Sequence, residues 1–232
     1  MQNSAQVQQI FRQIAPYYDR MNRLMTFGLD LTWRRKAVHR LKPLQPRKLL
    51  DLAAGTGDFA WIAAQELPTL QEAYLVDFVP EMLAYAEKRG SPRPTLAWHI
   101  LVADAHALPL PDNYFDAITV GYGVRNFADR LTALKEMHRV LRPGGLALIL
   151  ETGLPTNLFW KALFWLYFRA YVPLLGLLIA KAKDAYTYLP ESTRHFPHRE
   201  KFLYLCQEAG FTRSSYENFL GGVSILYILE KA

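Results

Sequence analysis

The stretch Leu50-Asp51-Leu52-Ala53-Ala54-Gly55-Thr56-Gly57-Asp58 decides the fold of this chain. A short apolar run ends in glycines and an aspartate, which is typical of a buried strand that turns into a helix. Glycine at such a turn lets a ligand approach the backbone, because a Cβ would block it. The free N–H groups at the helix start favour a polar or anionic ligand. Taken alone, the loop also fits the looser dinucleotide fingerprint, or a tight turn without a ligand.

Strands and helices alternate on both sides of this loop. Pro80 stands where a helix can begin without losing a hydrogen bond, and Pro143-Gly144-Gly145 is expected to stop a later helix. This alternation predicts a doubly wound α/β sheet with right-handed crossovers. The predicted strands are residues 48–53, 73–77, 98–103, 115–120, 146–150, 211–216 and 224–229, and the predicted helices include 58–66, 128–141 and 200–209.

The chain before the sheet is predicted to be helical with breaks. Residues 7–41 carry apolar side chains at helical spacing, and Pro16 and Gly28 interrupt the pattern.

A strongly apolar stretch, residues 158–180, precedes the last strands and is interpreted as helical with a break at Pro173. Its length is near the span of a bilayer, about 20 residues. Lys161 and Arg169 lie inside it, and a charge at the bilayer centre costs roughly 2.5–3.5 kcal/mol, so no spanning helix is expected. The stretch is either a core helix or a helix that lines an apolar substrate pocket or touches a membrane surface.

Composition favours one large α/β domain with a buried core. The chain has 232 residues, 51% of them apolar, and a formal net charge of +6. The charge suits nucleic acid, an anionic membrane or a polyanionic ligand, and equally a soluble protein with a basic surface. Cys206 is the sole cysteine, so no disulfide forms within the chain, which fits a reducing cytosol. The polar N-terminus indicates no signal peptide.

Acidic residues follow the second and third predicted strands. Asp77 lies 20 residues beyond Gly57, where a carboxylate can accept hydrogen bonds from a ribose diol. Asp104-Ala105 follows the third strand, where an acidic side chain can take an adenine amino group. With the turns at 108–116 and 139–145, this ordered set resembles that of class I S-adenosylmethionine-dependent methyltransferases. We therefore predict a Rossmann-like, seven-stranded sheet whose last strand runs antiparallel, with S-adenosylmethionine as the cofactor.

Four sequence stretches resemble a narrower group, the ubiquinone/menaquinone biosynthesis C-methyltransferases. They are FRQIAPYYDRMN at residues 11–22, the loop at 51–58, GVRN at 123–126 and AYTYLPES at 185–192, and the resemblance runs from about residue 11 to residue 231. It implies a single domain over 1–232, with a helical N-terminal lid at 1–41 and a helical, substrate-side insertion at 154–198.

The resemblance also implies the cofactor site. It places cofactor contacts at Thr56, Asp77, Asp104 and Ala105, with Gly55 and Gly57 in the binding loop. The chain departs from the family pattern at two positions. Ala54 replaces a glycine of many relatives, a change small enough to tolerate. Gly121 replaces a serine that contacts the cofactor in some relatives, so we expect only a backbone neighbour there.

The reaction implied by the resemblance is methyl transfer to a ring carbon of a reduced prenylated quinone. Removing a proton from the quinol hydroxyl, whose pKa is about 10 with tyrosine as the guide, would push electron density onto that carbon. Arg125 and Asn126 follow the fourth strand, and Arg125 could stabilise the quinolate or hold a water that acts as base. Tyr18 and Asp19 could form part of a lid, although Tyr18 could equally be a core tyrosine.

The partners expected are the prenylated quinol and a transient membrane surface, with a homodimer also open, and neither nucleic acid nor a metal is expected. The protein is expected in the cytoplasm, peripherally associated with the inner face of the membrane.

Demethylmenaquinol is the favoured substrate, while a 2-phytyl-1,4-naphthoquinol, a ubiquinone precursor and an unrelated small molecule stay open. A nucleic-acid methyltransferase is disfavoured, because no Asn/Asp-Pro-Pro-aromatic motif occurs and Cys206 is badly placed for attack on a pyrimidine. A nicotinamide dehydrogenase or a non-catalytic cofactor-binding protein is the rival from another class.

Overall fold

The computed structural model of the protein describes residues 4–172 and 192–232. Its seven strands form one sheet in the order β3-β2-β1-β4-β5-β7-β6. The first five strands in this order are parallel, whereas β7 pairs antiparallel with β5 and with β6. This confirms the predicted seven-stranded sheet. The strands are β1 (Lys48–Leu52), β2 (Glu72–Asp77), β3 (Ala97–Val102), β4 (Phe115–Gly121), β5 (Leu141–Thr152), β6 (Arg213–Phe219) and β7 (Ser224–Glu230).

Helices cover both faces of the sheet and precede it in the chain. The two sides of β1 show why its sequence is almost continuously apolar: Leu50 packs in one buried cluster and Leu49 in the other, as a parallel strand covered on both faces requires. The helices are α1 (Ser4–Ile14), α2 (Tyr18–Thr26), α3 (Leu29–His39), α4 (Asp58–Glu66), α5 (Pro80–Arg89), α6 (Arg130–Val140), α7 (Leu158–Leu166) and α8 (Glu200–Glu208).

Helix α6 and strand β5 meet differently from the prediction. The helix ends at Val140 and β5 begins at once, so Pro143-Gly144-Gly145 lies within a strand and not in a turn before one. The register with β4 shifts there, which makes the three residues part of a β-bulge. A Cβ on Gly145 would lie 2.9 Å from the Asp116 carbonyl oxygen, so the close strand contact requires glycine. The prediction that the helix stops before Pro143-Gly144-Gly145 was correct, but the prediction that these residues form a turn was wrong.

The N-terminal helices break where predicted. Pro16 lies in a 3₁₀ turn (Ala15–Tyr17) between α1 and α2, and Gly28 has a φ of 76° at the start of α3. The hydroxyl of Tyr171 donates to the Leu24 carbonyl at the end of α2. This contact brings the segment after α7 against the N-terminal helices.

Helix α7 continues as a π-helical segment (Tyr167–Tyr171) within the apolar stretch. No helix among residues 4–172 and 192–232 is long and apolar enough to cross a membrane. The predicted break at Pro173 and all but the last residue of the 185–192 signature lie outside the described residues.

Candidate active site

The carboxyl ends of β1, β2 and β4 surround three adjoining clefts. The strand order reverses between β1 and β4, and ligands bind at such a reversal in open α/β sheets. Ala53, directly after β1, lines all three clefts. The central cleft, about 430 Å³, has Tyr18 and Asn126 in its wall. The outer cleft, also about 430 Å³, contains Asp104. The inner cleft, about 280 Å³, contains Thr56 and Asp58.

The glycine loop is held by a buried carboxylate beneath it. Asp51 Oδ2 accepts a hydrogen bond from the Ala60 N–H at 3.0 Å, and Asp51 Oδ1 accepts one from the Thr119 hydroxyl at 2.8 Å. The first bond ties β1 to α4 across the loop, and the second ties β1 to β4. Burial raises the pKa of Asp51 to about 7, against these hydrogen bonds, which lower it.

The glycines of the loop are required by close packing. Gly57 has a φ of 81°, and a Cβ there would lie 2.8 Å from Leu75 Cδ2 and 3.2 Å from Ala86 Cβ. Gly55 also has a positive φ, 56°, and approaches Met82. Ala54, the departure from the family pattern, is not among the residues with positive φ, so its methyl group causes no backbone strain.

Two non-glycine residues at the strand ends have left-handed backbones. Ala53 has a φ of 52° and Tyr122 a φ of 62°, and both line the central cleft. A Cβ on Gly123 would lie 2.6 Å from Ala53 Cβ, so the chain ends of β1 and β4 nearly touch. Such backbone strain of order 1–3 kcal/mol per residue clusters at ligand sites. Sequence reasoning missed it, because neither residue type signals a positive φ.

Asp77 lies at the end of β2 and faces the glycine loop. Its two carboxylate oxygens accept backbone N–H bonds from Gly55 at 2.8 Å and from Val79 at 2.9 Å. Burial raises the pKa of Asp77 to about 6, and these hydrogen bonds oppose the rise. Asp77 lines both the central and the outer cleft, so its carboxylate lies where the two clefts adjoin.

The outer cleft contains Asp104 and Ala105 together with a histidine that sequence reasoning missed. The His106 ring Nδ1 is hydrogen-bonded to Asp104 Oδ1, and His106 Nε2 accepts from the Asp129 N–H at 3.1 Å. The second bond leaves the ring proton on Nδ1, facing Asp104. Partial burial raises the pKa of Asp104, but the hydrogen bonds from His106 outweigh it and lower the pKa below its usual value. His106 therefore orients this carboxylate.

The central cleft is walled by aromatic side chains. Tyr18 is half-buried: it lines this cleft and also packs against two small apolar clusters, one around Met21 and one around Met82. Burial raises the pKa of Tyr18 despite the nearby positive charges of Arg34 and Arg125, so its hydroxyl stays protonated at neutral pH. Gly121 and Asn126 also line this cleft.

Arg125 is buried, with 7% of its surface exposed, and pairs with an acid that sequence reasoning missed. Its Nη1 donates to Glu151 Oε1 at 2.5 Å and to the Tyr122 carbonyl at 2.7 Å, and its N–H donates to Glu151 Oε2 at 3.0 Å. Glu151, near the end of β5, is fully buried. The pair fixes the turn that presents Asn126 to the central cleft.

Ion pairs fasten the N-terminal helices to the glycine loop. Arg23 Nη2 of α2 donates to Asp58 Oδ2 at 2.6 Å, and the Thr56 hydroxyl donates to Asp19 Oδ1 at 2.5 Å. Burial raises the pKa of Asp58, but the surrounding guanidinium groups, Arg34 foremost, outweigh burial and lower it. Asp58 is thus a stable anion that holds α2 over the inner cleft.

This sheet, with the glycine loop and the acidic residues at its strand ends, defines a class I S-adenosylmethionine-dependent methyltransferase. A solved S-adenosylmethionine-dependent methyltransferase of Thermotoga maritima shares the fold, with a TM-score of 0.67 and 21% identity over 97% of this chain and 99% of that one. The chain belongs to the ubiE/COQ5 methyltransferase family, whose family model matches residues 1–231.

Curated relatives support the family over nearly the full length. The demethylmenaquinone methyltransferase of Thermus thermophilus is 43% identical, over 94% of this chain and 98% of the relative. The ubiquinone/menaquinone biosynthesis C-methyltransferase of Geotalea uraniireducens is 38% identical, over 97% of this chain and 96% of the relative. The chain is therefore an S-adenosylmethionine-dependent C-methyltransferase.

Proposed function

We propose that the protein methylates a ring carbon of a reduced prenylated quinone, with demethylmenaquinol as its substrate. The observation that carries the proposal is the central cleft. Aromatic walls suit a flat ring, and the Tyr18 hydroxyl and the Asn126 amide supply polar groups for the ring hydroxyls. The names of the relatives from Thermus thermophilus and other bacteria point to the same substrate.

We propose that the cofactor extends from the outer cleft to the inner cleft along the floor of the central cleft, so that its methyl group faces the quinol ring. In this arrangement Asp77 accepts hydrogen bonds from the ribose and Asp104, oriented by His106, accepts one from the adenine amino group, with Ala105 beside it. Each carboxylate oxygen has two acceptor directions, so the backbone bonds of Asp77 leave room for the ribose. Gly55, Thr56 and Gly57 form the loop beneath. The cofactor supplies an electrophilic methyl group when bound.

On the substrate side, the chain's task is to favour the ionised quinol. We propose that Asn126 donates to the quinol oxygen and that Arg125, held by Glu151, places a fixed positive charge near the oxygen that loses its proton. Tyr18, kept protonated, donates a hydrogen bond and closes the cleft as part of the N-terminal lid. A low-dielectric cleft makes these interactions stronger than in water.

The substrate is tested by incubating the protein with labelled S-adenosylmethionine and each candidate in its reduced form. Demethylmenaquinol is expected to be methylated fastest, ahead of 2-phytyl-1,4-naphthoquinol and the ubiquinone precursor, and product formation is followed by mass spectrometry. Oxidised demethylmenaquinone is the matched control and is expected to be inert, because it has no hydroxyl to ionise. Equal labelling of quinol and quinone, or of none of the candidates, would contradict the proposal.

We further propose that the protein meets the prenyl tail at a membrane surface. Phe27 and Leu166 are exposed apolar side chains, 75% and 64% accessible, and the Phe27 ring stacks on Tyr171 at 5.9 Å. Lys161 and Arg169 are exposed on the same helical stretch. Exposed apolar groups beside cations suit an anionic lipid surface, to which the net charge of +6 adds. On the same stretch Phe164 is buried and the Tyr167 hydroxyl donates to the Met25 carbonyl of α2, so these two side chains face the protein.

The membrane proposal predicts flotation with anionic liposomes at low salt and release at high salt. Replacing both Phe27 and Leu166 with serine is expected to lower the affinity for liposomes by at least tenfold, because burying each apolar side chain contributes about 1.5–3 kcal/mol and about 1.4 kcal/mol is a tenfold change. Tyr204→Ser is the matched control, since Tyr204 is 70% exposed on α8, away from this stretch in the chain. A wild-type protein that never floats, or a control that loses as much flotation as the double variant, would argue against it.

A further inference from the structure

An alternating chain of charges runs from the surface to the inner cleft. Arg89 Nη1 pairs with Asp58 Oδ1 at 2.8 Å, and Arg23 Nη2 with Asp58 Oδ2 at 2.6 Å. Arg23 also pairs with Asp30, and Arg34 Nη1 closes the series on Asp30 at 2.8 Å. Three guanidinium groups thus share two carboxylates. The outer end, Arg89, is 31% exposed, while the inner end, Arg34, is 4% exposed.

The inner end of this chain lies in the wall of a cleft. Arg34 lines the inner cleft with Thr56 and Asp58. Its Nε is buried and has no hydrogen-bond partner among residues 4–172 and 192–232. A buried guanidinium N–H without an acceptor is costly, so an acceptor is expected to arrive with a ligand.

Gly121 keeps the guanidinium group open to the ligand clefts. A Cβ on Gly121 would lie 3.6 Å from both Arg34 Nε and Arg34 Nη2, so this edge of the group faces the space above Gly121. Gly121 lines both the inner and the central cleft. A ligand that extends from the central cleft into the inner cleft would therefore reach Arg34.

The charges around the inner cleft define what that ligand end must be. Arg34 offers a planar fork of N–H donors that matches a carboxylate. Asp51 and Asp58 line the same cleft and offer carboxylate oxygens to an ammonium group. An α-amino acid carries both signs of charge: its carboxylate suits the guanidinium group of Arg34, and its ammonium group suits the carboxylates of Asp51 and Asp58.

We propose that Arg34 binds the α-carboxylate of the methionine end of S-adenosylmethionine. This assigns a cofactor role to a residue of α3, outside the glycine loop and the strand ends. The proposal concerns the cofactor alone, so it stands or falls independently of the quinol substrate.

The test compares two ligands that differ at this end. S-adenosylhomocysteine carries the amino-acid group, whereas 5′-methylthioadenosine has the same adenosine and lacks it. Arg34→Met is expected to weaken S-adenosylhomocysteine binding about 10- to 100-fold, the range for a charged hydrogen-bonded group. Binding of 5′-methylthioadenosine is expected to stay unchanged. Both affinities are measured by titration calorimetry on the purified full chain.

Two further variants keep the test decisive. Arg34→Lys retains the charge without the fork and is expected to lose S-adenosylhomocysteine affinity to a smaller degree, which covers the case in which Arg34→Met fails to fold. Arg35→Met is the matched control, because Arg35 is the next residue of α3, is 51% exposed and pairs only at 3.9 Å with Glu66. An equal loss of affinity for the two ligands would show that Arg34 only supports the structure of the site. Unchanged affinity for both would show that Arg34 does not contact the cofactor. Either result overturns the proposal.

Discussion

Arg125→Ala is expected to lower turnover by about 10²–10³-fold, the usual effect of removing one group that stabilises charge developing in the transition state. Cofactor affinity is expected to change far less, because the proposed role is on the substrate side. The measurement is steady-state turnover of the reduced quinol together with calorimetric binding of S-adenosylhomocysteine. A variant with normal turnover would remove Arg125 from the mechanism.

Arg125 also forms a buried ion pair with Glu151, so its replacement is expected to change stability as well as turnover. Arg125→Ala leaves the fully buried Glu151 carboxylate without its positive counter-charge, and breaking such a pair costs about 3–5 kcal/mol of stability. Replacing both residues with apolar side chains of similar size, as in Arg125→Met with Glu151→Leu, is often neutral for stability. The double variant is therefore expected to recover the free energy of unfolding but not turnover. Recovery of both would mean that Arg125 only supports the fold.

The sequence predicted the parts of the site that follow from strand order. Parallel strands bring their carboxyl ends to one edge, so the loop after β1, Asp77 after β2 and Asp104 after β3 were placed together before any side-chain contact was known. Asn126 was placed on the same edge for the same reason. These positions depend on local patterns that a single sequence contains.

The parts that sequence reasoning missed depend on long-range contacts. Glu151 acts through Arg125, which is 26 residues away, and Arg34 reaches the inner cleft because α3 packs against α4 and β5 and because Gly121, at the end of β4, has no side chain. The left-handed backbones of Ala53 and Tyr122 come from two strand ends that nearly touch. None of these is signalled by residue type or spacing, because each is fixed by tertiary packing.

Asp77→Ala is expected to weaken the binding of S-adenosylhomocysteine by about 1.5–3 kcal/mol, the range for hydrogen bonds to a charged group. The same loss is expected for 5′-methylthioadenosine, because both ligands carry the ribose diol. This pattern separates Asp77 from Arg34, whose replacement should affect the first ligand alone. The N–H groups of Gly55 and Val79 would also lose their acceptor, so the thermal midpoint of the variant is measured beside its affinities.

The pKa of Asp77 provides a second test of its proposed role as the ribose ligand. Its carboxyl has a pKa of about 6 in the folded protein, so it is ionised above that pH and increasingly protonated below it. A protonated carboxyl is a poorer acceptor for the ribose hydroxyls, so wild-type affinity for 5′-methylthioadenosine should fall as the pH drops from about 7.5 to about 5.5. Asp51, with a pKa of about 7, titrates nearby, but this ligand lacks the amino-acid end that would reach the inner cleft where Asp51 lies. Asp77→Ala should therefore flatten the pH profile, and a variant that keeps the wild-type slope would show that the ribose is held elsewhere.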